Sequence, residues 1–183
     1  MGTVIFQALF FFLPAYVSNA MPVLLARFKL FEFLAIPVDF GLKIGKFEVF
    51  GKTKTFRGII GGIAGAMVVV FLQSLFFGFW GNVGNLFLFS FDVPSVFILG
   101  FYLGFGEGLG DLFKSFIKRR LNIHSSAPFF PFDQMSFFGA LFLSSFYFVL
   151  PIEHTIAIVV ISPLLPLIAN IFAFRIGWKK VWW

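Results

Sequence analysis

The 183-residue chain contains no cysteine, which excludes a disulfide framework, a thiolate metal site and a cysteine nucleophile. Charge is scarce as well: 12% of the residues are charged, only eight of them are acidic, and there are two histidines. Neither His124 nor His154 has a second histidine or a carboxylate at ligand spacing, so a zinc centre is not supported, and no Ser/His/Asp arrangement is readable. What fills the space is apolar. The chain is 60% hydrophobic with a mean hydropathy of +0.98, against roughly 45–50% apolar and about 25% charged for an ordinary soluble domain. Such a chain cannot cover its surface with polar groups, so a soluble globular protein is excluded. The expected class is an all-α polytopic membrane protein in which residues 1–183 form a single catalytic-sized domain. The 33 phenylalanines are read as lipid-facing and core-filling side chains.

No charged side chain precedes Arg27. The segment lacks the basic n-region of a secretory signal and is long enough for a hydrocarbon core of about 30 Å, so it is read as a retained span over 3–25. Pro14 is tolerable there, because neighbouring helices can satisfy freed backbone groups. A second uncharged run gives a helix over about 58–80, followed by an outer loop over Asn82–Asp92. Pro94 suits a helix start, so a third helix is expected from Pro94 or Ser95 to about Arg120. A fourth is expected over Asp133–Leu150 and a fifth over Thr155–Trp178, kinked at Pro163 and Pro166. Five spans place the termini on opposite sides.

The 14 basic residues set the orientation. Arg27, Lys29, Lys43, Lys46, Lys52, Lys54 and Arg57 lie between helices one and two. Lys114, Lys118, Arg119 and Arg120 lie between helices three and four, and Arg175, Lys179 and Lys180 near the C-terminus. None lies in the other connections. This positive-inside pattern predicts an N-terminus outside, a C-terminus in the cytoplasm, and basic loops facing the cytoplasm. Trp80 fits an outer aromatic belt, and Trp178, Trp182 and Trp183 an inner one. In this setting the net charge of +6 speaks for topology and membrane lipids, not for nucleic acid.

Three acids stand apart. Glu107, Asp111 and Asp133 sit within or beside apolar helices, where an acid is expensive and usually faces a cavity or a partner. Glu107, Asp111 and Ser115 are spaced four apart, with Lys118 three further on, so they share a helix face. Gly100, Gly104 and Gly108 form a small-residue stripe, with Gly106 and Gly110 beside it, that admits a neighbouring helix. Before helix two, the run from Gly51 through Lys52, Thr53, Lys54 and Thr55 to Arg57 gathers cations and hydroxyls at a helix N-terminus. It misses the P-loop pattern, because Lys46 stands where glycine is needed. Two readings stand side by side: a phosphate site, with Lys54 and Arg57 three apart reaching one anion, or a positive-inside anchor on lipid phosphates.

The run Gly110-Asp111-Leu112-Phe113-Lys114-Ser115-Phe116-Ile117-Lys118-Arg119-Arg120, followed by Ala127-Pro128-Phe129-Phe130-Pro131-Phe132-Asp133-Gln134, resembles the C-terminal motif of the CTP-dependent lipid cytidylyltransferases. Leu13–Ala20, Val38-Asp39-Phe40 and Phe50–Gly58 are similar to the short archaeal branch, the CDP-archaeol synthases. The resemblance implies transfer of CMP from CTP to a polyprenyl ether lipid phosphate, 2,3-di-O-geranylgeranylglyceryl phosphate, with Mg²⁺ as cofactor. It implies Asp111 and Asp133 as metal ligands, and Ser115, Lys118 and Arg119 on nucleotide or phosphate. It also implies Lys52, Lys54 and Arg57 on a phosphate group, with Asn19 and Asp39 shaping the site. One position departs from the pattern: the family has a second acid three residues after the first, and here Ser136 follows Asp133. Ser136 is therefore a weaker candidate metal donor. The oligomeric state is open, a homodimer being one option. The alternative of a different class is a small ion or proton pathway using Glu107 and Asp111.

Overall fold

The computed structural model describes residues 1–81, 88, 93–124 and 127–178. The expected outer loop over Asn82–Asp92 lies almost wholly outside these residues, as do Lys179, Lys180, Trp182 and Trp183. Helix α1 spans Gly2–Arg27 and carries Pro14 and Pro22 inside it. A single 3-10 turn at Glu32–Leu34 and a hairpin of β1 (Lys43–Ile44) and β2 (Phe47–Glu48) follow, with Lys43 opposite Glu48 in antiparallel register. Helix α2 spans Phe56–Trp80, α3 Val93–Arg120, α4 Phe137–Ser144, α5 Ile152–Ile161 and α6 Leu164–Arg175.

Among the described residues four stretches are long and apolar enough to cross a bilayer: Gly2–Arg27, Phe56–Trp80, Pro94–Arg120 and Ile152–Arg175. The fourth expected span is built differently. Its α-helix covers only Phe137–Ser144, preceded by a 3-10 turn at Phe132–Gln134 and continued by turns to Phe148. The Ser144 and Ser145 hydroxyls donate to the carbonyls of Leu141 and Phe142, which competes with helix propagation, and Pro151 then bars the α region at Leu150. This segment nevertheless runs from one end of α3 to the other. Lys114 and Lys118, near the basic end of α3, hold Asp133, whereas Tyr147 donates to Ser95 at the opposite end of α3. Residues 133–147 thus run between Lys114 and Ser95 of α3, which lie about 28 Å apart at helical rise. The return is made by α5 and α6, from His154 beside Gln7 to Trp178 against Phe28 at the end of α1. The break at Ser162-Pro163 falls where proline removes a helical N–H. The four long apolar stretches and residues 133–147 thus each run between the two ends of the bundle, with Gly2 and Trp178 at opposite ends.

Helices α1, α2, α3 and α4 pack in sequence, and α5 returns to α1. Phe12, Val70, Leu99, Leu103 and Ile158 fill the centre, while bulky apolar side chains also cover the outside, as lipid requires. Without a hydrophobic drive between helices in lipid, close backbone approach and interhelical hydrogen bonds hold them together. The glycine stripe on α3 has two faces. A Cβ at Gly104 would lie 2.7 Å from Ile63 Cα of α2, and one at Gly106 would lie 2.5 Å from the Gly139 carbonyl oxygen of α4. Gly100 serves the α2 face, Gly110 the α4 face, and Gly108 meets only the Ile59 side chain at 3.7 Å. Tyr16 and Ser162 hydroxyls pair at 2.7 Å, Gln73 donates to the Phe10 carbonyl at 2.6 Å, and Ser18 to the Gly104 carbonyl at 3.3 Å.

Candidate active site

The basic end of the bundle holds an open cleft. Its walls are Ser18 and Asn19 from α1, Thr53, Lys54 and Thr55 from the segment before α2, and Glu107 and Asp111 from α3. Asp111 is the anchor of this cleft. Lys54 Nζ lies 2.5 Å from its Oδ2 and Lys114 Nζ 3.1 Å from its Oδ1. Lys114 also donates to the Asp133 carbonyl at 2.9 Å, which ties α3 to the turn before α4. One turn before Asp111, the buried Glu107 accepts a hydrogen bond from Ser136 on its Oε1.

Lys54 is delivered by a loop that is itself well held. The Asp39 carboxylate, buried under the loop, accepts backbone N–H groups from Gly41 at 3.0 Å, Phe50 at 2.9 Å and Gly51 at 3.0 Å. Desolvation works to raise the Asp39 carboxyl, but the N–H groups of Phe50, Gly51 and Gly41 outweigh it and hold it below the usual aspartate value. Ser115 donates to the Phe50 carbonyl at 2.8 Å, and Val38 N–H to the Lys54 carbonyl at 2.8 Å. Gly51, with φ of +94°, turns the chain beneath Arg119. Thr55 then caps α2 by accepting the Gly58 N–H on its side chain at 3.3 Å.

A second cluster adjoins the cleft. Asp133 Oδ1 receives Lys118 at 3.2 Å and Oδ2 receives the Phe129 N–H at 2.6 Å; Lys118 also donates to the Ala127 carbonyl at 2.6 Å. These contacts close the turn between α3 and α4 onto α3.

A family model described as CarS-like, CDP-archaeol synthase, matches residues 1–183. The chain belongs to the CDP-archaeol synthase family. Within that family, a CDP-archaeol synthase of Pyrococcus abyssi is 36% identical over 183 residues, covering 98% of each chain. One of Methanococcus maripaludis is 37% identical over 184 residues, covering 98% of this chain and 97% of the other. A solved structure of an intramembrane enzyme for archaeal membrane lipids biosynthesis aligns at TM-score 0.69 and 28% identity, over 90% of this chain and 92% of that one.

Against that family expectation, the structure brings Asn19, Lys54 and Asp111 together at one cleft. Asp133 and Lys118 pair beside it, across Lys114. Asp39 and Ser115 act on the loop backbone rather than on the cleft. Arg119 donates to the Ile123 carbonyl at 2.9 Å. Lys52 is exposed, and neither it nor Arg57 lines the cleft. The reason is local: Thr55 is extended and helix α2 begins at Phe56, so the spacing of Lys54 and Arg57 is not a helical one. Ser136 gives its hydroxyl to Glu107 and is not a cleft-lining group. Sequence reasoning missed Lys114, which it counted only as a basic loop residue, and Ser18, whereas Thr53 and Thr55 were already named as the hydroxyls of the Gly51–Arg57 run. The signal for Lys114 was its i,i+3 spacing to Asp111.

The donor set suits a hard divalent cation. Asp111 and Glu107 offer carboxylate oxygens, and Ser18, Asn19, Thr53 and Thr55 can offer neutral ones. Among the described residues no group of three or more His, Cys, Asp or Glu side chains converges. Mg²⁺ does not require one, because it commonly takes one or two protein carboxylates and completes its shell with water and substrate phosphates.

Proposed function

We propose that this chain transfers the CMP unit of CTP to 2,3-di-O-geranylgeranylglyceryl phosphate, giving CDP-archaeol and pyrophosphate, at the cleft around Asp111. An oxygen of the lipid phosphate attacks the α-phosphorus of CTP. The bond from that phosphorus to the bridging oxygen of the β-phosphoryl group breaks, and pyrophosphate leaves. The nucleophile belongs to the substrate, so the protein needs no cysteine or serine triad. Its work is positioning and charge neutralisation.

The observation that carries this reading is the pair of ammonium groups held on one carboxylate at an oxygen-lined cleft. Lys54 and Lys114 are fixed by Asp111 and can share their remaining N–H donors with phosphate oxygens. Asn19, Thr53 and Thr55 supply neutral hydrogen-bonding groups around the same space. Asp111 would hold Mg²⁺, with Asp133 across Lys114 as the second candidate carboxylate, while Ser136 is occupied by Glu107 and would act only through that acid. When bound, the ion would neutralise charge on the triphosphate and on the departing pyrophosphate. Lys118, Arg119, Ser115, Lys52 and Arg57 remain proposed phosphate or nucleotide contacts. Lys118 is the nearest of these to Asp133, at 3.2 Å. The segregation of basic residues supports a cytoplasmic cleft, where CTP is, and an N-terminus outside. A cation pathway through Glu107 and Asp111 is the weaker reading, because the chain belongs to the CDP-archaeol synthase family over its whole length.

The test supplies radiolabelled CTP with ether-linked or ester-linked phosphatidic acid, with and without Mg²⁺. Label should enter the lipid with release of pyrophosphate, depend on Mg²⁺ and favour the ether-linked acceptor. Absence of labelled lipid in every arm overturns the reading.

A further inference from the structure

Between α1 and α2 the chain carries bulky apolar side chains that it does not bury. Phe28, Phe31, Phe33, Phe40, Leu42 and Ile44 are all exposed, Phe33 by 73% and Phe40 by 70%. This is not a loosely placed loop. Asp39 pins it from below, Val49 N–H donates to the Leu42 carbonyl at 3.0 Å, and Phe56 N–H to the Ile36 carbonyl at 3.0 Å. An ordered segment that turns so many large apolar groups outward marks an interaction surface. Lys29, Lys43 and Lys46 are exposed among them.

We propose that residues 28–47 form a membrane-interface anchor, seated in the headgroup–acyl boundary of the leaflet at the basic end of the bundle. Three observations select lipid over another protein. The segment follows directly on the end of one candidate span at Arg27 and leads towards the start of the next at Phe56, so it sits at the same end of both helices as their exposed apolar surfaces. Its mixture of Phe, Leu and Ile with Lys is the composition of interfacial elements, which bury their apolar face by about 5–10 Å and attract anionic headgroups. The hairpin is too short to cross, having two residues in each strand. The same chain runs on into Thr53, Lys54 and Thr55, so an anchored loop holds the cleft mouth at the depth of a lipid phosphate. That consequence rests on the reaction proposed above; the anchoring itself does not.

The cysteine-free chain makes the test direct. Phe40→Cys, Ile44→Cys and Lys52→Cys are each labelled with a nitroxide in vesicles of phosphatidylcholine containing phosphatidylglycerol. Collision with oxygen, which concentrates in the acyl region, is compared with collision with a water-soluble nickel chelate. Labels at 40 and 44 should favour oxygen and the label at 52 the chelate. Chelate preference at 40 and 44 overturns the anchor. So does spin–spin broadening at those sites that vanishes on mixing with unlabelled protein, which would mean that a second copy covers the surface. In turnover, the double variant Phe40→Asp/Leu42→Asp should raise the KM for lipid phosphate in vesicles roughly tenfold or more, with the KM for CTP unchanged. An unchanged lipid KM also counts against the anchor. The depth measurement needs no catalysis, so seated labels on a protein without cytidylyltransferase activity would sink only the reaction, and water-exposed labels on an active enzyme only the anchor.

Discussion

Asp111 is the residue on which the cleft turns, because it is the shared partner of Lys54 and Lys114. Removing its charge leaves two ammonium groups uncompensated in a partly buried setting, which costs more than the pair contributes. Asp111→Asn should lower turnover more than ~100-fold while the protein still inserts and purifies. Near-normal rates at saturating Mg²⁺ would remove Asp111 from the chemistry. Asp39 plays a different part, holding a loop through backbone N–H groups. Its folded-state pKa lies below the ordinary value, so its contribution to loop stability is complete above that ordinary value of about 3.9 and is lost as pH falls through the lowered one. Asp39→Asn turns an amide towards N–H donors and should cost about 1–3 kcal/mol. Faster hydrogen exchange at Phe50 and Gly51 should report it, and unchanged protection there would show that Asp39 does not hold the loop. Asn19, Lys54 and Asp111 were legible in the sequence because each stands in a local motif. The bond from Ser136 to Glu107 was not, because it joins residues 29 positions apart through the packing of two helices.

At the scale of elements, the long spans were legible because charge bounds them: α1 ends at Arg27 and α3 at Arg120. The fourth span was misjudged in length, since its apolar composition does not reveal that its serines bond back to the chain. The two glycine faces of α3 give the clearest energetic statement. A methyl at Gly106 would press on the backbone of Gly139 and Ala140, which cannot rotate away, so α4 must move. Gly106→Ala should destabilise by about 1–3 kcal/mol through overpacking, despite alanine's better helix propensity. Gly108→Ala is the control. It has room, and should be neutral or stabilising by up to about 1 kcal/mol. Thermal unfolding in one detergent compares them, and equal melting temperatures for the two variants would mean that the α3–α4 contact yields.

The five spans expected from the sequence would place the two termini in different compartments, and the side of the cleft would then follow from which terminus is outside. The contacts fix which residues share an end: Lys54, Lys114, Lys118, Asp133, Phe28 and Trp178 lie at one, Gln7, Ser95, Tyr147 and His154 at the other. Of the 14 basic residues, the 12 that are described lie in the connections or helix ends at the first end. Moving so many cations outward during insertion would oppose the bias that basic loops follow, so that end should face the cytoplasm. Single cysteines at positions 46 and 85, in a chain that otherwise has none, read this out with a membrane-impermeant thiol reagent on intact cells. Position 85 should label at once and position 46 only after the cells are opened. If position 46 labels first, the bundle is inverted and the cleft faces away from cytoplasmic CTP. In that case the cytidylyltransfer proposed for the Asp111 cleft would lack its nucleotide in the cell, whatever the purified protein does in vesicles open to both sides.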